Sequence, residues 1–235
     1  MRPVPLNKEE HASLRVTLPQ TERYGAPQQL ATLLGAEFPE AAVTYPIVFS
    51  EGPRGLTPCA LLGLERGRNQ YVTQDGEWRP HAYRPASVRA YPFFPVVEDD
   101  EEMSVYIDAD YDGWSTVEGE RLFEEDGSLT PLLTERVELL LQCAREVMPT
   151  RDFMKELLRL DLLEQRTITM PRPGGATVEI GNIWVISEER LREIGAGDSP
   201  ADLLSLHLKG YLRLIHAHLV SLHNPTRLYG ELVDG

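Results

Sequence analysis

Two scarcities in the sequence, of cysteine and of long apolar runs, restrict the class of protein. Only two cysteines, Cys59 and Cys143, occur among 235 residues, too few for a disulfide scaffold. Each lies in an apolar pattern, which predicts small buried side chains. No segment reaches the roughly 20 apolar residues that span a bilayer, and residues 1–8 lack the apolar core of a signal peptide. We therefore predict a cytoplasmic protein with no membrane insertion.

Positive charge is also scarce. The chain has 23 lysines and arginines against 37 aspartates and glutamates, a net charge of -14. Such a surface repels phosphate backbones, so we predict no nucleic-acid partner. Eight of the acidic residues lie in two runs, at 98–102 and 124–126. We interpret these runs as solvated loops.

Local signatures of catalysis are absent as well. The sequence has no Gly-x-Ser-x-Gly elbow, and Pro173-Gly174-Gly175 is not followed by the lysine that a phosphate-binding loop needs. We expect no cofactor. An acid–base site built from scattered glutamate, histidine and tyrosine leaves no motif, however, so catalysis stays an open alternative.

Four residues are the candidates for such a dispersed site: Glu37, Tyr45, His216 and His218. Glu37 lies just before the predicted strand that begins at Tyr45, and the two histidines lie on the last predicted helix. The competing interpretation of Glu37 is a structural carboxylate, hydrogen-bonded near a helix end.

The segment from Asp108 to Gly113 resembles the first half of a calcium loop. Asp108, Asp110 and Asp112 alternate before Gly113, as such loops require. The bidentate glutamate should follow six residues after that glycine, where this chain has Gly119. We therefore predict an acidic turn without a metal, and the three aspartates stay the calcium candidates.

The final predicted helix carries four of the six histidines, His207, His216, His218 and His223. Histidines that share a metal on a helix are three or four residues apart. None of these pairs has that spacing, so we predict no metal site here. We interpret the histidines as residues that flank the apolar stripe of the helix.

The hydrophobic pattern predicts an α+β fold, an antiparallel sheet with helices packed on it and a long C-terminal helix. Apolar residues at helical spacing over 30–38 predict a helix that stops near Glu37, because Pro39 follows. Short strands are predicted at 45–50, 58–65, 103–108 and 167–170.

Two longer helices are predicted in the second half. Thr130 and Pro131 have the residue types of a helix start, and Pro149 should break or kink that helix. The last helix should begin with Ser199 as its cap and end at Asn224-Pro225. It should bury Leu208, Ile215 and Leu219.

Short segments in a fixed order make the chain similar to the bacterial SapC family. The matching segments are His11-Ala12-Ser13-Leu14-Arg15-Val16, Ala36-Glu37-Phe38-Pro39, Tyr45-Pro46-Ile47-Val48-Phe49, Ala60-Leu61-Leu62-Gly63-Leu64, Tyr91-Pro92-Phe93, Ile107-Asp108, Glu118-Gly119-Glu120-Arg121-Leu122-Phe123 with Asp126-Gly127, Leu163-Glu164, and Ile215-His216-Ala217-His218-Leu219-Val220-Ser221-Leu222. They cover nearly the whole chain, so we predict a single domain over residues 1–235.

The resemblance implies an accessory role. The family's name implies an association with bacterial surface layers, and its members tend to be encoded near outer-membrane uptake receptors and flavin halogenase-like enzymes. The family offers no catalytic residues to carry over. We therefore predict an accessory protein that binds protein partners, with its oligomeric state left open. The alternatives are a cytoplasmic enzyme with a site of dispersed Glu, Tyr and His residues, and a cell-surface location reached without a signal peptide.

Overall fold

The computed structural model describes residues 1–52, 55–97, 102–171, 177–196 and 200–224. These residues form an α+β fold, as predicted. The strands are β1 (Pro3–Pro5), β2 (Arg15–Val16), β3 (Leu30–Thr32), β4 (Ile47–Gly52), β5 (Gly55–Leu61), β6 (Phe93–Val97), β7 (Met103–Asp108), β8 (Trp114–Ser115), β9 (Glu120–Arg121), β10 (Leu163–Pro171) and β11 (Thr177–Ile186). The helices are α1 (Phe38–Thr44), α2 (Ala86–Arg89), α3 (Pro131–Arg159), α4 (Glu188–Ala196), α5 (Pro200–Leu208) and α6 (Tyr211–Ser221).

The chain divides into two compact units. Unit 1 consists of Met1–Thr21 and Ala86–Met148, and unit 2 of Glu22–Pro85 and Pro149–Gly235. The two units thus alternate along the sequence, in the order unit 1, unit 2, unit 1, unit 2. The expectation of a single domain over residues 1–235 stays a prediction.

Unit 1 contains two small antiparallel sheets, in the orders β1-β7-β6 and β8-β2-β9. Its core includes Phe93, Ile107 and Leu133, each at most 1% exposed. The predicted start of α3 is confirmed: Thr130 Oγ1 accepts a hydrogen bond from the Leu133 N–H at 3.3 Å, which satisfies one of the free amides of the first turn.

Unit 2 is built on a five-stranded sheet in the order β10-β11-β4-β5-β3. Every pair of neighbours in it is antiparallel. Strand β4 begins directly after Pro46, where a missing N–H costs no ladder hydrogen bond. Its residues Ile47 and Phe49 have no exposed surface. Helix α6 lies against β4, β11 and α1.

The prediction of a helix that stops near Glu37 is wrong. Leu30–Thr32 is strand β3, paired with β5, and the helix begins only at Phe38. Pro39 lies in its first turn, where proline is favoured because the first amides of a helix have no intrahelical acceptor. The apolar spacing misled because a short strand followed by a turn can place leucines at the same intervals as a helix.

The prediction of a long C-terminal helix is also wrong. Helices α5 and α6 are separate, and the long helix is α3. Gly210 adopts φ 74 between α5 and α6, a left-handed conformation that ends a helix. The break changes which residues are buried. Leu208 is 75% exposed, whereas Ile215 has no exposed surface and Leu219 is half-buried. The predicted cap Ser199 and the helix-ending Pro225 lie outside the described residues, as do most of the acidic run at 98–102 and the segment Pro173-Gly174-Gly175.

Pro149 does not break its helix, because α3 continues through it to Arg159. The proline removes the hydrogen bond that its N–H would have given to the carbonyl of Arg145. Phe153 and Leu157, in the next two turns, are completely buried. Their burial anchors the part of α3 that follows the proline.

Candidate functional site

Glu37 and Tyr45 share a partner, Tyr83, in unit 2. The Tyr83 hydroxyl donates to Glu37 Oε1 at 2.8 Å, and the Leu34 N–H donates to Glu37 Oε2 at 2.8 Å. The Tyr45 hydroxyl donates to the backbone carbonyl of Tyr83. Glu37 and Tyr45 are both buried, and Tyr83 is half-buried. These three residues, the Glu37–Tyr83–Tyr45 network, fix the loop around residue 83 against the start and the end of α1.

Aromatic rings extend this network. The Tyr45 and Tyr71 rings meet edge to face with centroids 4.6 Å apart, a favoured aromatic geometry. The Tyr71 hydroxyl donates to the Thr44 carbonyl at 3.2 Å, and the Tyr71 ring stacks on Trp78. The polar ends of the two tyrosines therefore face backbone groups of the same chain.

His218 ties α6 to the sheet of unit 2. It has no exposed surface, and its Nε2 accepts the Ile186 N–H of β11 at 2.9 Å. Its ring stacks on Phe49 of β4, with centroids 5.0 Å apart. Ser221, one turn further on, donates its hydroxyl to the His218 carbonyl at 2.6 Å and accepts the Ile47 N–H at 2.8 Å.

The buried His218 ring is neutral. Burial lowers its pKa to about 3, since a charged ring loses its hydration in the interior. Because Nε2 accepts a hydrogen bond, the proton of the neutral ring is on Nδ1. This N–H has no hydrogen-bond partner among the described residues. The arrangement suits a structural tie, because a substrate cannot reach a completely buried ring.

His216 is exposed and does not share a helix face with His218. Two residues along an α-helix are rotated by about 200° around its axis. Of the four catalytic candidates, the structure thus brings Glu37 and Tyr45 to a common partner, buries His218 against β4 and β11, and leaves His216 on the surface.

The Asp108 carboxylate is held by donors of unit 1. Its Oδ1 accepts the N–H groups of Arg2 at 2.8 Å and Asp110 at 3.1 Å, and its Oδ2 accepts the Tyr91 hydroxyl at 3.1 Å. Burial alone would raise the pKa of Asp108, but these three hydrogen bonds lower it below its usual value. Burial, and then the hydrogen bond with Asp108, raise the pKa of Tyr91.

The other calcium candidates are exposed, and Asp110 is paired with Arg2 through Nε at 3.1 Å. Packing explains the glycine at position 113, because a Cβ there would lie 2.5 Å from the Thr17 carbonyl oxygen. Within the ranges that the structure describes, no three His, Cys, Asp or Glu residues form a group that could hold a metal. That Asp108, Asp110 and Asp112 bind no calcium stays a prediction.

An ion-pair network in unit 2, centred on the buried carboxylate of Glu156, escaped the sequence analysis. Glu156 is 8% exposed and pairs with Arg159 at 2.9 Å and Lys209 at 3.2 Å. Arg159 also contacts Asp202 of α5 at 2.6 Å. Hydrogen bonds from Arg159 and then Lys209 lower the pKa of Glu156. Only the three-residue spacing of Glu156 and Arg159 on a helix could have indicated this network.

The fold and these contacts define a class: an α+β protein in which buried polar side chains tie helices and loops to antiparallel sheets. The SapC family model matches residues 6–228, nearly the whole chain. The chain belongs to the SapC family. Comparisons with curated proteins and with solved structures found no match. None of the helices in the described part is long and apolar enough to cross a membrane.

Proposed function

We propose that this SapC-family chain is an accessory protein that acts by binding a protein partner and not by catalysis. One observation carries the proposal: the buried acid–base candidates, Glu37 and Tyr45, are already hydrogen-bonded to other groups of the chain. Both oxygens of Glu37 accept hydrogen bonds from other groups of the chain, and the Tyr45 hydroxyl donates to a backbone carbonyl. A general acid or base must instead come within hydrogen-bond reach of a substrate.

Exposed leucines on α5 support a binding role. Leu204 is 56% exposed and Leu208 is 75% exposed. They are four residues apart and so lie on one face of the helix. Leu206, between them, is completely buried and holds α5 to the rest of unit 2. Large apolar side chains on one helix face are the type of residue that anchors protein interfaces.

The alternative function is that of an enzyme with a dispersed site. The observation that favours it is the hydrogen bond between Glu37 and the hydroxyl of the half-buried Tyr83. A carboxylate and a phenol in contact are groups that acid–base catalysis uses.

Complementation of a deletion strain separates the two functions. We further propose that the partner belongs to a surface layer or an outer-membrane uptake system, as the family resemblance implies, so surface-layer assembly and uptake are the two readouts. We expect Leu204→Ser with Leu208→Ser to abolish complementation, because the change removes the apolar face of α5. We expect Tyr83→Phe to complement fully, because it removes only a hydroxyl from the Glu37–Tyr83–Tyr45 network.

Circular dichroism and a thermal melt must show that both variants are folded. The opposite result, with Tyr83→Phe inactive and the leucine variant active, would favour the enzyme and contradict the binding proposal.

We also propose that the chain acts in the cytoplasm. Its acidic composition supports this location. Fractionation of the host cells combined with protease shaving tests it. Recovery of the chain mainly in the shaved surface fraction would favour a cell-surface location instead.

A further inference from the structure

Strand β10 forms one edge of the five-stranded sheet, and in the described residues it pairs only with β11. The direction of its backbone groups follows from its first contact: the Ser187 N–H donates to the Leu162 carbonyl at 2.8 Å. Alternate residues of an antiparallel ladder direct their backbone groups to the same side. Glu164 and Arg166 therefore bond toward β11, whereas Leu163 and Gln165 direct theirs to the open edge.

A side chain from α4 confirms this assignment. Arg190 Nη1 donates to the Leu163 carbonyl at 2.8 Å, so that carbonyl lies on the side away from β11. Gln165 is the next residue with outward backbone groups, and its side chain is exposed. The open part of the edge therefore begins at Gln165.

The charges beside Gln165 are of opposite sign. Arg166 donates through Nε to Glu164 Oε1 at 2.6 Å, so the two side chains lie on the same face of β10. A lone charge on an edge strand discourages pairing with another strand. Glu164 and Arg166 lie one residue before and one residue after Gln165. In a second strand paired antiparallel about Gln165, each of these charges lies opposite a charge of the other sign, which favours pairing.

We propose that β10 pairs with β10 of a second copy of this chain, about a two-fold axis through Gln165. The N–H and C=O groups of the two Gln165 residues then exchange hydrogen bonds. Glu164 of each copy lies opposite Arg166 of the other copy, at the closer, non-hydrogen-bonded position of the ladder. The symmetry produces this ion pair twice. In a chain of net charge -14, this locally neutral edge is a place where two copies meet with little repulsion.

The short contact predicts a reversible dimer. A ladder of only a few residues buries less surface than a permanent interface. Sedimentation velocity of the full chain, over a concentration series up to several hundred micromolar, should show a dimer that increases with concentration. A chain that stays monomeric over the whole series would overturn the proposal.

Charge reversal tests the register. Arg166→Glu and Glu164→Arg each place like charges opposite one another at both positions, so each should raise the dimer dissociation constant about tenfold or more. An equimolar mixture of the two variants should dimerise as the wild type does, because opposite charges face each other again. Arg192→Glu is the matched control: it makes the same charge change as Arg166→Glu at an exposed site on α4 and should leave the dimer close to its wild-type strength.

A proline substitution provides a second test that is independent of charge. Gln165→Pro removes an outward N–H and leaves the bonds toward β11 in place, so it should abolish the dimer without a loss in melting temperature. A dimer that survives both Gln165→Pro and the single charge reversals would overturn the proposal. So would a mixture of the two charge variants that does not dimerise.

Discussion

The two units each contain a buried ionisable side chain whose pKa is lowered, but for opposite reasons. Asp108 in unit 1 is charged, and hydrogen bonds from Arg2, Asp110 and Tyr91 lower its pKa. His218 in unit 2 is neutral, and burial lowers its pKa to about 3. A lowered pKa therefore does not reveal whether a buried group has all its hydrogen-bond partners. Asp108 has a donor for each of its oxygens, whereas the Nδ1–H of His218 has no partner among the described residues.

The largest effect is expected where unit 2 buries α6. Ile215→Asp places a charge at a position with no exposed surface, so we expect a loss of roughly 4 kcal/mol or more in the free energy of unfolding. Leu208→Asp on α5 is the control, because that side chain is 75% exposed. It should cost less than about 0.5 kcal/mol. Urea denaturation measures both, and equal midpoints for the two variants would show that α6 does not form part of the core.

Next in size is the effect of acid on His218. Its pKa is about 3 in the folded chain and about 6.5 in the unfolded chain, so the unfolded chain binds the proton more readily. The stability that the neutral ring contributes is complete above pH 6.5 and declines as the pH falls toward 3. Between pH 7 and pH 5 the loss should be about 2 kcal/mol.

The matched variant for this measurement is His218→Gln, which keeps an acceptor for the Ile186 N–H and cannot titrate. Urea denaturation at pH 7 and at pH 5 should show a smaller acid loss for this variant than for the wild type. An identical loss in both proteins would mean that His218 is not the group responsible.

A smaller loss, of about 1 kcal/mol, is expected for Asp108→Asn in unit 1. An amide keeps one acceptor oxygen but loses the charge that strengthens the bonds from Arg2 and Asp110. Its pH range differs from that of His218. Asp108 contributes its stability above the unfolded pKa of about 3.9 and loses it only as the pH falls through its lowered folded value. Melts at pH 7 and pH 5 should therefore show the same loss for this variant, and a loss that shrinks markedly at pH 5 would contradict the assignment.

The smallest effect concerns the thiols, one in each unit. Cys59 in unit 2 is buried, and burial raises its pKa to about 12, whereas Cys143 in unit 1 is half-buried. Because the thiolate is the reactive form, Cys143 should react with a thiol reagent at pH 8 well before Cys59. Mass spectrometry of the modified peptides can follow this, and Cys143→Ser should remove the fast phase. Faster modification of Cys59 would contradict the burial of β5.

Local signals in the sequence predicted several elements of the fold. Thr130 and Pro131 predicted the start of α3, the apolar segment 45–50 predicted a strand that overlaps β4, and the pattern over Met103–Asp108 predicted β7. The elements that were missed depend on ambiguous spacing or on a backbone conformation. Leucines at 30, 33 and 34 fit a helix and a short strand equally, and Gly210 ends α5 because of its φ, which a hydrophobic pattern does not show.

The contacts of the candidate site could not be predicted, because they join residues that are far apart in the sequence. Glu37 and Tyr83 are separated by 46 residues, and Ile47 and Ser221 by 174 residues. No periodicity within one element indicates such pairs. The sequence could therefore identify Glu37 and His218 as unusual residues, but it could not identify their partners.

The separation of Ile47 and Ser221 along the sequence affects how the chain folds during synthesis. During synthesis the N–H of Ile47 leaves the ribosome 174 residues before the hydroxyl that accepts its hydrogen bond, an interval of roughly 10 to 35 s at ordinary translation rates. The second segment of unit 1, Ala86–Met148, is made in that interval, while the apolar surface of β4 is not yet covered by α6. A nascent chain that stalls before residue 211 therefore carries an uncovered sheet, which is the kind of surface that chaperones hold and that aggregation begins from.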